Sequence, residues 1–179
     1  MDHVVLVSDA GEPIGSAPKA DVHGAATPLH LAFSCYVHDD EGRVLVTRRA
    51  LTKHTWPGVW TNSFCGHPAP GEPWEDAVCR HARLELGLDL RDLHVVLPDF
   101  RYRAVDPAGV VENEVCPVFR ARAAGPLDPA PDELLQHAWV APSDLAQAAR
   151  LTPWAFSPWL VLQLEQLEAS PVVPERRPA

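Results

Sequence analysis

One amphipathic helix stands between stretches of strand-forming residues, and this order restricts the fold more than any other feature of the sequence. Residues 74–86, WEDAVCRHARLEL, carry apolar side chains at helical spacing, at positions 74, 77, 78 and 82. Pro73 suits the first turn of this helix, and Gly87 suits the position just after its last turn. The helix is therefore predicted to lie at the centre of a mixed α/β fold.

The strand-forming stretches predict two hairpins around that helix. Residues 29–40 and 43–49 flank the turn DDEG, and residues 93–105 and 110–122 flank the turn DPAG. HVVLVS, which precedes a turn at DAGEPIG, and HAWVAP predict further short strands. PSDLAQAAR, with Ser143 as the candidate N-cap, and PWAFSPWLVLQLEQLEA predict two closing helices.

Length and composition exclude several classes of protein. A chain of 179 residues with 46% hydrophobic and 22% charged residues is expected to form one domain, here over 1–170, followed by a disordered tail at 171–179. The net charge of −9 argues against nonspecific binding of nucleic acid or of an anionic membrane. No secretory signal or membrane span is evident, so a cytoplasmic protein is expected. The four dispersed cysteines then predict reduced thiols.

The stretch GVVENEVCPVF places two carboxylates on one face of a strand. Glu112 and Glu114 point the same way because side chains alternate along a strand, and Asn113 points away. Two neighbouring carboxylates repel each other unless a cation or a shared proton compensates. One interpretation is a polar edge that faces solvent. The apolar residues on both sides of the pair favour a buried site instead.

Three histidines can complete a metal site with these carboxylates. His23 and His30 bracket the short loop HGAATPLH, and His67 lies in NSFCGHP. Together with Glu112 and Glu114 they would supply three nitrogen and two oxygen ligands. This set suits manganese, iron, cobalt or zinc better than calcium. The spacing of the cysteines does not fit a structural zinc ribbon.

The central helix carries a partial match to a known phosphate-binding motif. Gly66, Glu72, Arg80, Glu85 and Gly87 follow the spacing of the Nudix box, a loop–helix–loop that holds divalent cations against a diphosphate. His81 and Leu84 occupy positions where that box has further glutamates. The resemblance implies that the chain binds a diphosphate through a cation at Glu85 but hydrolyses it poorly.

A longer resemblance covers nearly the whole chain, from about residue 5 to about residue 164. The strings RVLVTRRALTKHTWPGVWTNSFCGHP, PDFRYRA, VENEVCPVF and TPWAFSPW resemble type I isopentenyl-diphosphate isomerases of the Nudix superfamily. The fold implied is a Nudix-like mixed α/β sandwich with a central helix and C-terminal helices. The activity implied is the interconversion of isopentenyl and dimethylallyl diphosphate. A prenyl diphosphate is the expected partner, and the protein is expected to be a monomer or a homodimer.

The same resemblance implies roles for individual residues. The reacting groups and their neighbours would be Cys65, Glu114, Tyr102 and Trp159. The diphosphate would be bound by Lys19, Arg49, Lys53 and His81. Mg²⁺ would bind at Glu85 and the backbone carbonyl of Cys65. A further Mn²⁺, Zn²⁺ or Mg²⁺ would bind at His23, His30, His67, Glu112 and Glu114.

Elementary chemistry is consistent with these roles. Protonation of an unactivated alkene gives a tertiary carbocation, which requires a strong acid in a site without water. Glu114 is the candidate acid, and Cys65 is the candidate base if nearby cations hold it as a thiolate. Trp159 would face the carbocation, as the resemblance favours, and the alternative interpretation is a core aromatic of the last helix.

Three alternatives remain at this level. A Nudix hydrolase would release phosphate and would not need Cys65. A noncatalytic metal-dependent binding module would use the histidines and glutamates only to hold its fold. A cysteine hydrolase built on Cys65 and His67 fits least, because two residues so close on one loop leave no room for an orienting third group.

Overall fold

The computed structural model describes residues 3–169, which form two β-sheets and four α-helices. The predicted tail at 171–179 lies outside the described residues. The first sheet has the strand order β2-β1-β3-β10-β9. Its strands are β1 (His3–Val7), β2 (Pro13–Pro18), β3 (His30–Leu31), β9 (Arg101–Val105) and β10 (Val111–Val115).

The second sheet has the order β12-β5-β4-β11-β8, and two short strands pair with it from the side. The strands along this order are β4 (Phe33–His38), β5 (Val44–Arg49), β8 (Asp89–Leu97), β11 (Val118–Ala124) and β12 (Leu134–Val140). The short strands are β6 (Trp60–Thr61), which pairs with β5, and β7 (Phe64–Gly66), which pairs with β4.

The first helix follows β2 of the first sheet, and the other helices follow strands of the second sheet or close the described part of the chain. They are α1 (Lys19–Val22), α2 (Trp74–Leu86), α3 (Pro142–Leu151) and α4 (Pro158–Ala169). One face of the second sheet packs on α2 through side chains such as Phe33, Val78 and Phe119. The other face packs on α3 and α4 through residues such as Tyr36, Leu145 and Leu160. The predicted central helix is confirmed at both ends.

Three chain segments pass from one sheet into the other at the same level. The chain leaves β3 for β4 at Ala32, β8 for β9 at residues 98–100, and β10 for β11 at Cys116 and Pro117. Pro98 and Pro117 contribute no N–H to a ladder, so regular pairing ends beside them. Hydrogen bonds still join the segments at the crossing, for example from Ala32 N to Val115 O at 3.0 Å.

Both predicted hairpins exist, but the structure corrects their extent. The hairpin around DPAG is split between the sheets: β9 pairs with β10, and β8 pairs with β11. The hairpin around DDEG has one paired position, His38 with Val44, before β4 and β5 separate. The short strands β6 and β7 fill the gap between them.

Other corrections follow from local chemistry. Residues 13–15, predicted as part of the turn DAGEPIG, belong to β2, and Lys19–Val22 forms a short helix that was not predicted. Ala141 is the N-cap of α3, with Pro142 in the first turn, so Ser143 is not the cap. The long closing helix is interrupted: a 3-10 turn at Pro153–Ala155 precedes α4, which begins at Pro158. No helix among residues 3–169 is long and apolar enough to cross a bilayer.

Substitution of Gly87 can test why α2 ends at this position. It adopts a left-handed conformation, with φ of 60°, and a Cβ there would lie 2.4 Å from the carbonyl oxygen of Asp128. We expect Gly87→Ala to lower the free energy of unfolding by roughly 2 kcal/mol or more, since backbone strain and a clash add. Gly71→Ala is the matched control, because φ there is 79° and no atom lies within 4 Å. Equal losses for both in urea denaturation would contradict this account.

Candidate active site

The centre of the site is the buried face of β10. Glu112 and Glu114 are 6% and 5% exposed, so the interpretation of a solvent-facing edge is wrong. The register places Glu114 between Tyr102 on β9 and His30 on β3. Asn113 points away, as predicted, and donates to Thr27 O at 3.3 Å. That bond holds the loop that carries two of the histidines against β10.

Three histidine rings converge on these carboxylates. The ring centroids of His23, His30 and His67 lie 5.1 to 5.7 Å apart. His30 Nε2 and His67 Nε2 lie 3.5 and 3.4 Å from Glu114 Oε1, and His23 Nε2 lies 3.0 Å from Glu112 Oε2. One ligand atom from each of the three histidines and Glu114 lies within 4.8 Å of the others. Glu112 stands beside this group of four through its contact with His23.

The ring nitrogens of this cluster are arranged so that they could hold a metal ion. His30 Nδ1 lies 2.9 Å from the carbonyl oxygen of Pro28 and must donate to it, so in the neutral ring Nε2 presents a lone pair to the cluster. Among residues 3–169, no hydrogen bond of good geometry satisfies His30 Nε2, either ring nitrogen of His67, or Glu112 Oε2. Buried polar atoms of this kind are costly unless a ligand satisfies them. The residues therefore fit a divalent cation.

Two opposing effects set the pKa values in the cluster: burial, which disfavours charge, and the nearby groups of opposite charge, which favour it. Burial lowers the pKa of His67 to about 4 despite the nearby Glu114 carboxylate. Burial acts in the same direction on His30, but the nearby Glu114 carboxylate outweighs it and raises the pKa of that ring. Burial alone would raise the pKa of Glu114, whereas the close His30 and His67 rings hold it well below its usual value. These shifts favour the carboxylate form of Glu114.

A cavity of about 450 Å³ opens beside this cluster, within the range typical of small-molecule sites. It brings together every residue predicted to react or to bind a cation or diphosphate, except His30 and His81. Its lining includes Lys19, His23, Arg49, Lys53, Cys65, His67, Glu85, Tyr102, Glu112, Glu114 and Trp159. His30 lies behind Glu114 and is fully buried.

Cys65 meets the cavity as a thiol. Its Sγ donates to Asn62 Oδ1 and lies close to Ser34 Oγ, each at 3.3 Å. Burial raises the pKa of Cys65 to about 12, although hydrogen bonds and Arg49 act against that rise. Burial thus outweighs the charge of Arg49 and favours the thiol, and a thiolate held by further cations stays a prediction.

The aromatic and cationic side chains of the cavity are held by specific contacts. Trp159 is 2% exposed, packs edge-to-face on Trp56 at 5.4 Å and lies 5.7 Å from the ring of Tyr102. The Arg49 guanidinium lies 5.5 Å from the Trp159 ring and donates from Nε and Nη2 to Thr55 O. Trp159 is thus both a core aromatic and part of the cavity wall.

Glu133, which the sequence did not single out, engages one of the predicted phosphate-binding cations. Lys53 Nζ forms an ion pair with Glu133 Oε2, and each side chain is 27% exposed. The two residues are 80 positions apart, and nothing in the composition of the loop DPAPDELL links it to Lys53. Sequence reasoning could not have found this contact.

The helix α2 supplies one carboxylate to the cavity. Glu85 Oε1 lies 2.7 Å from His81 Nδ1, and the other ring nitrogen of His81 lies 3.3 Å from His67 O. Strand β7 passes close to this ring, since a Cβ on Gly66 would lie 2.6 Å from it. His81 thus contacts both Glu85 and the end of β7. Its contact with a diphosphate stays a prediction.

The remaining residues of the Nudix-box pattern either form hydrogen bonds in the loop before α2 or face solvent. Arg80 donates from Nε and Nη2 to the two carboxylate oxygens of Glu72, both at 2.7 Å, and to His67 O. Leu84 is 63% exposed. The positions where the box has further glutamates therefore contribute no carboxylate to the cavity.

Comparison with known proteins agrees with this arrangement. Residues 28–160 match the family model for the NUDIX domain. A protein of Clavibacter michiganensis named isopentenyl-diphosphate Delta-isomerase is 65% identical over 164 residues, which cover 92% of this chain and 84% of that protein. A protein of the same name from Paenarthrobacter aurescens is 61% identical over 171 residues, 96% of this chain and 93% of that protein.

The chain belongs to the isopentenyl-diphosphate Delta-isomerase family of NUDIX-domain proteins. The family inferred from the sequence motifs is thereby confirmed. The fold is confirmed as well: a crystal structure of a Deinococcus radiodurans protein superimposes with a TM-score of 0.71 at 19% identity, covering 93% of this chain and 99% of that one.

The histidine cluster predicts stabilisation by a divalent cation. A cation that binds the folded state at a hundred times its Kd adds about 2.7 kcal/mol, which raises Tm by roughly 5 to 10 °C in a protein of this size. We expect this shift with Mn²⁺ or Zn²⁺ in scanning calorimetry and expect His67→Asn to remove most of it. His54→Asn is the control, because His54 lines the same cavity but is exposed and lies outside the cluster. A wild-type shift in His67→Asn would contradict the assignment.

Proposed function

We propose that the protein interconverts isopentenyl and dimethylallyl diphosphate by moving a proton through a tertiary carbocation. The single observation that supports this most is one cavity lined by a thiol, Cys65, and a buried carboxylate, Glu114, with Tyr102 and Trp159 as aromatic neighbours. Such a cavity provides two proton-transferring groups and a wall that stabilises positive charge. The family membership of the chain supports the same activity.

The protons and electrons of the reaction balance across Glu114 and Cys65. Glu114 gives its proton to the terminal methylene carbon of isopentenyl diphosphate, and the alkene electron pair forms the new C–H bond. The tertiary cation at the neighbouring carbon then loses a proton from C2 to Cys65, and that electron pair forms the new double bond. Glu114 ends as a carboxylate and Cys65 as a thiol. The reverse reaction exchanges the two roles.

The pKa shifts favour the protonation state that the reverse direction uses. Burial raises the pKa of Cys65 and favours its thiol, and the nearby histidines lower the pKa of Glu114 and favour its carboxylate. A turnover that starts from isopentenyl diphosphate requires the single proton of this pair to reside on Glu114 first. Catalysis in both directions thus depends on one proton shared between two groups.

The cation sites follow from the donor sets. His23, His30, His67 and Glu114, with Glu112 beside them, would hold Mn²⁺, Zn²⁺ or Mg²⁺, and Glu85 would hold Mg²⁺ with the diphosphate. When bound, the first cation supplies positive charge that increases the acidity of the Glu114 carboxyl group. Lys19, Arg49 and Lys53 line the same cavity and would bind the diphosphate oxygens. The cytoplasmic location and the monomeric or dimeric state stay predictions.

The reaction type can be decided with two variants. Glu114→Gln and Cys65→Ala should each reduce isomerisation at least about 10²-fold, the scale of general acid–base catalysis, because each removes one proton-transferring group. The measurement is ¹H NMR of isopentenyl diphosphate in D₂O with Mg²⁺, in which deuterium enters the allylic positions. Glu75→Gln, on the exposed side of α2, is the control and should match the wild type. Phosphate release that survives in Cys65→Ala would favour a Nudix hydrolase instead.

The Lys53–Glu133 ion pair gives a prediction about affinity. A diphosphate must compete with Glu133 for the ammonium group, and partly exposed ion pairs are worth about 0.2 to 1 kcal/mol. Glu133→Gln should therefore lower KM for isopentenyl diphosphate by up to about fivefold and leave kcat little changed. Steady-state kinetics measure both constants. A higher KM would show that Glu133 helps to bind the substrate rather than competing with it.

A further inference from the structure

Asn62 fills the gap where β4 and β5 separate. It is fully buried between β6 and β7, and its Nδ2 donates to Cys35 O at 3.1 Å and to Phe64 O at 2.7 Å. A carbonyl oxygen only accepts hydrogen bonds, so these two contacts determine which end of the amide is nitrogen. The other end, Oδ1, must therefore face Cys65 and Trp159.

Asn62 Oδ1 receives three donors. Thr61 Oγ1 donates at 2.9 Å, Trp159 Nε1 at 3.0 Å and Cys65 Sγ at 3.3 Å. The indole N–H is the single polar group of Trp159 and can only donate, so this bond sets the position of that edge of the ring. Cys65, the candidate base, and Trp159, the candidate cation wall, thus donate hydrogen bonds to the same oxygen atom, although Trp159 lies 97 residues after Asn62.

A second chain of hydrogen bonds joins α4 to Cys65. Gln163, one helical turn after Trp159, donates from Nε2 to Ser34 Oγ at 2.8 Å. Ser34 Oγ in turn lies 3.3 Å from Cys65 Sγ. Side chains of one helix therefore reach Cys65 from two directions, through Asn62 and through Ser34.

We infer that Asn62 is a positioning residue that fixes Cys65 and Trp159 relative to each other across the cavity, beyond its part in closing the gap between β4 and β5. The inference rests on the proposed isomerisation, in which these two side chains act on the same allyl unit. Displacement of a reacting group by about 1 Å can cost about 10²-fold in rate. Loss of Asn62 Oδ1 should therefore affect kcat more than KM, since among residues 3–169 the Asn62 side chain makes no hydrogen bond to Lys19, Arg49 or Lys53.

A substitution at the neighbouring Ser63 can distinguish loss of positioning from loss of stability. Ser63 closes the same gap, because its Oγ donates to Leu45 O and accepts from Val37 N, both within 2.8 Å. Among residues 3–169, no hydrogen bond joins the Ser63 side chain to Cys65 or Trp159. Ser63→Ala thus removes hydrogen bonds from the gap without freeing either side chain of the cavity.

The test compares Asn62→Ala with Ser63→Ala in kcat, KM and Tm. We expect both variants to lose stability, and Asn62→Ala alone to lose about 10- to 100-fold in kcat with KM changed less than about threefold. Equal kcat in the two variants at similar Tm would overturn the inference and leave the proposed function intact. A wild-type protein without isomerase activity would instead overturn the proposed function, and the inference with it.

Trp159→Phe keeps the test decisive where Asn62→Ala does not fold. Phenylalanine retains an aromatic wall and removes the N–H that donates to Asn62, so kcat should fall more than in Ser63→Ala.

In folded Asn62→Ala, adding Trp159→Phe should lower kcat by less than the product of the separate effects, because both remove the same bond. The ¹⁵N-indole resonance that disappears in Trp159→Phe should also move upfield in Asn62→Ala. Wild-type kcat in Trp159→Phe would contradict the inference.

Discussion

The buried pair of carboxylates on β10 is the constraint from which the rest of the site follows. Glu112 and Glu114 lie on the apolar side of a strand in the first sheet, where two negative charges are costly without compensation. Compensation comes from His23, His30 and His67, whose rings reach the pair from a loop, from β3 and from the residue after β7. Burial also disfavours charge on those rings, and the nitrogens of His30 and His67 that lack a hydrogen bond fit a divalent cation.

The fold positions this cluster by interrupting its own sheets. Three segments cross between the sheets at one level, and β4 separates from β5 soon after their turn. Interrupted ladders leave backbone groups that side chains must satisfy, and Asn62 and Ser63 do this in the gap. Residues at these interruptions, among them Ala32, Cys65 and Gly66, line the cavity. Departures from regular pairing thus lie beside the candidate site, as is expected of functional sites.

Much of this could be predicted from the sequence because the signals are local. The apolar spacing of α2, with Pro73 and Gly87 at its ends, gave the helix, and strand alternation placed Glu112 and Glu114 on one face. The separation of the hairpin around DDEG could not be predicted, since it depends on β6 and β7 pairing from elsewhere in the chain. The effect of burial on Cys65 could not be predicted for the same reason, because burial is a property of the folded state.

The net charge of −9 shows why whole-chain composition is a weak guide to a substrate. Screening at physiological salt acts over about 8 Å, so a diphosphate in the cavity would respond mainly to Lys19, Arg49 and Lys53 at its walls. Two of these cations already have partners: Arg49 is held by Thr55 and the Trp159 ring, and Lys53 by Glu133. Arg49 contacts neutral groups and can keep its partners while it binds an anion. Lys53 contacts a carboxylate and must exchange it, so the two residues would contribute differently to binding although both carry one charge.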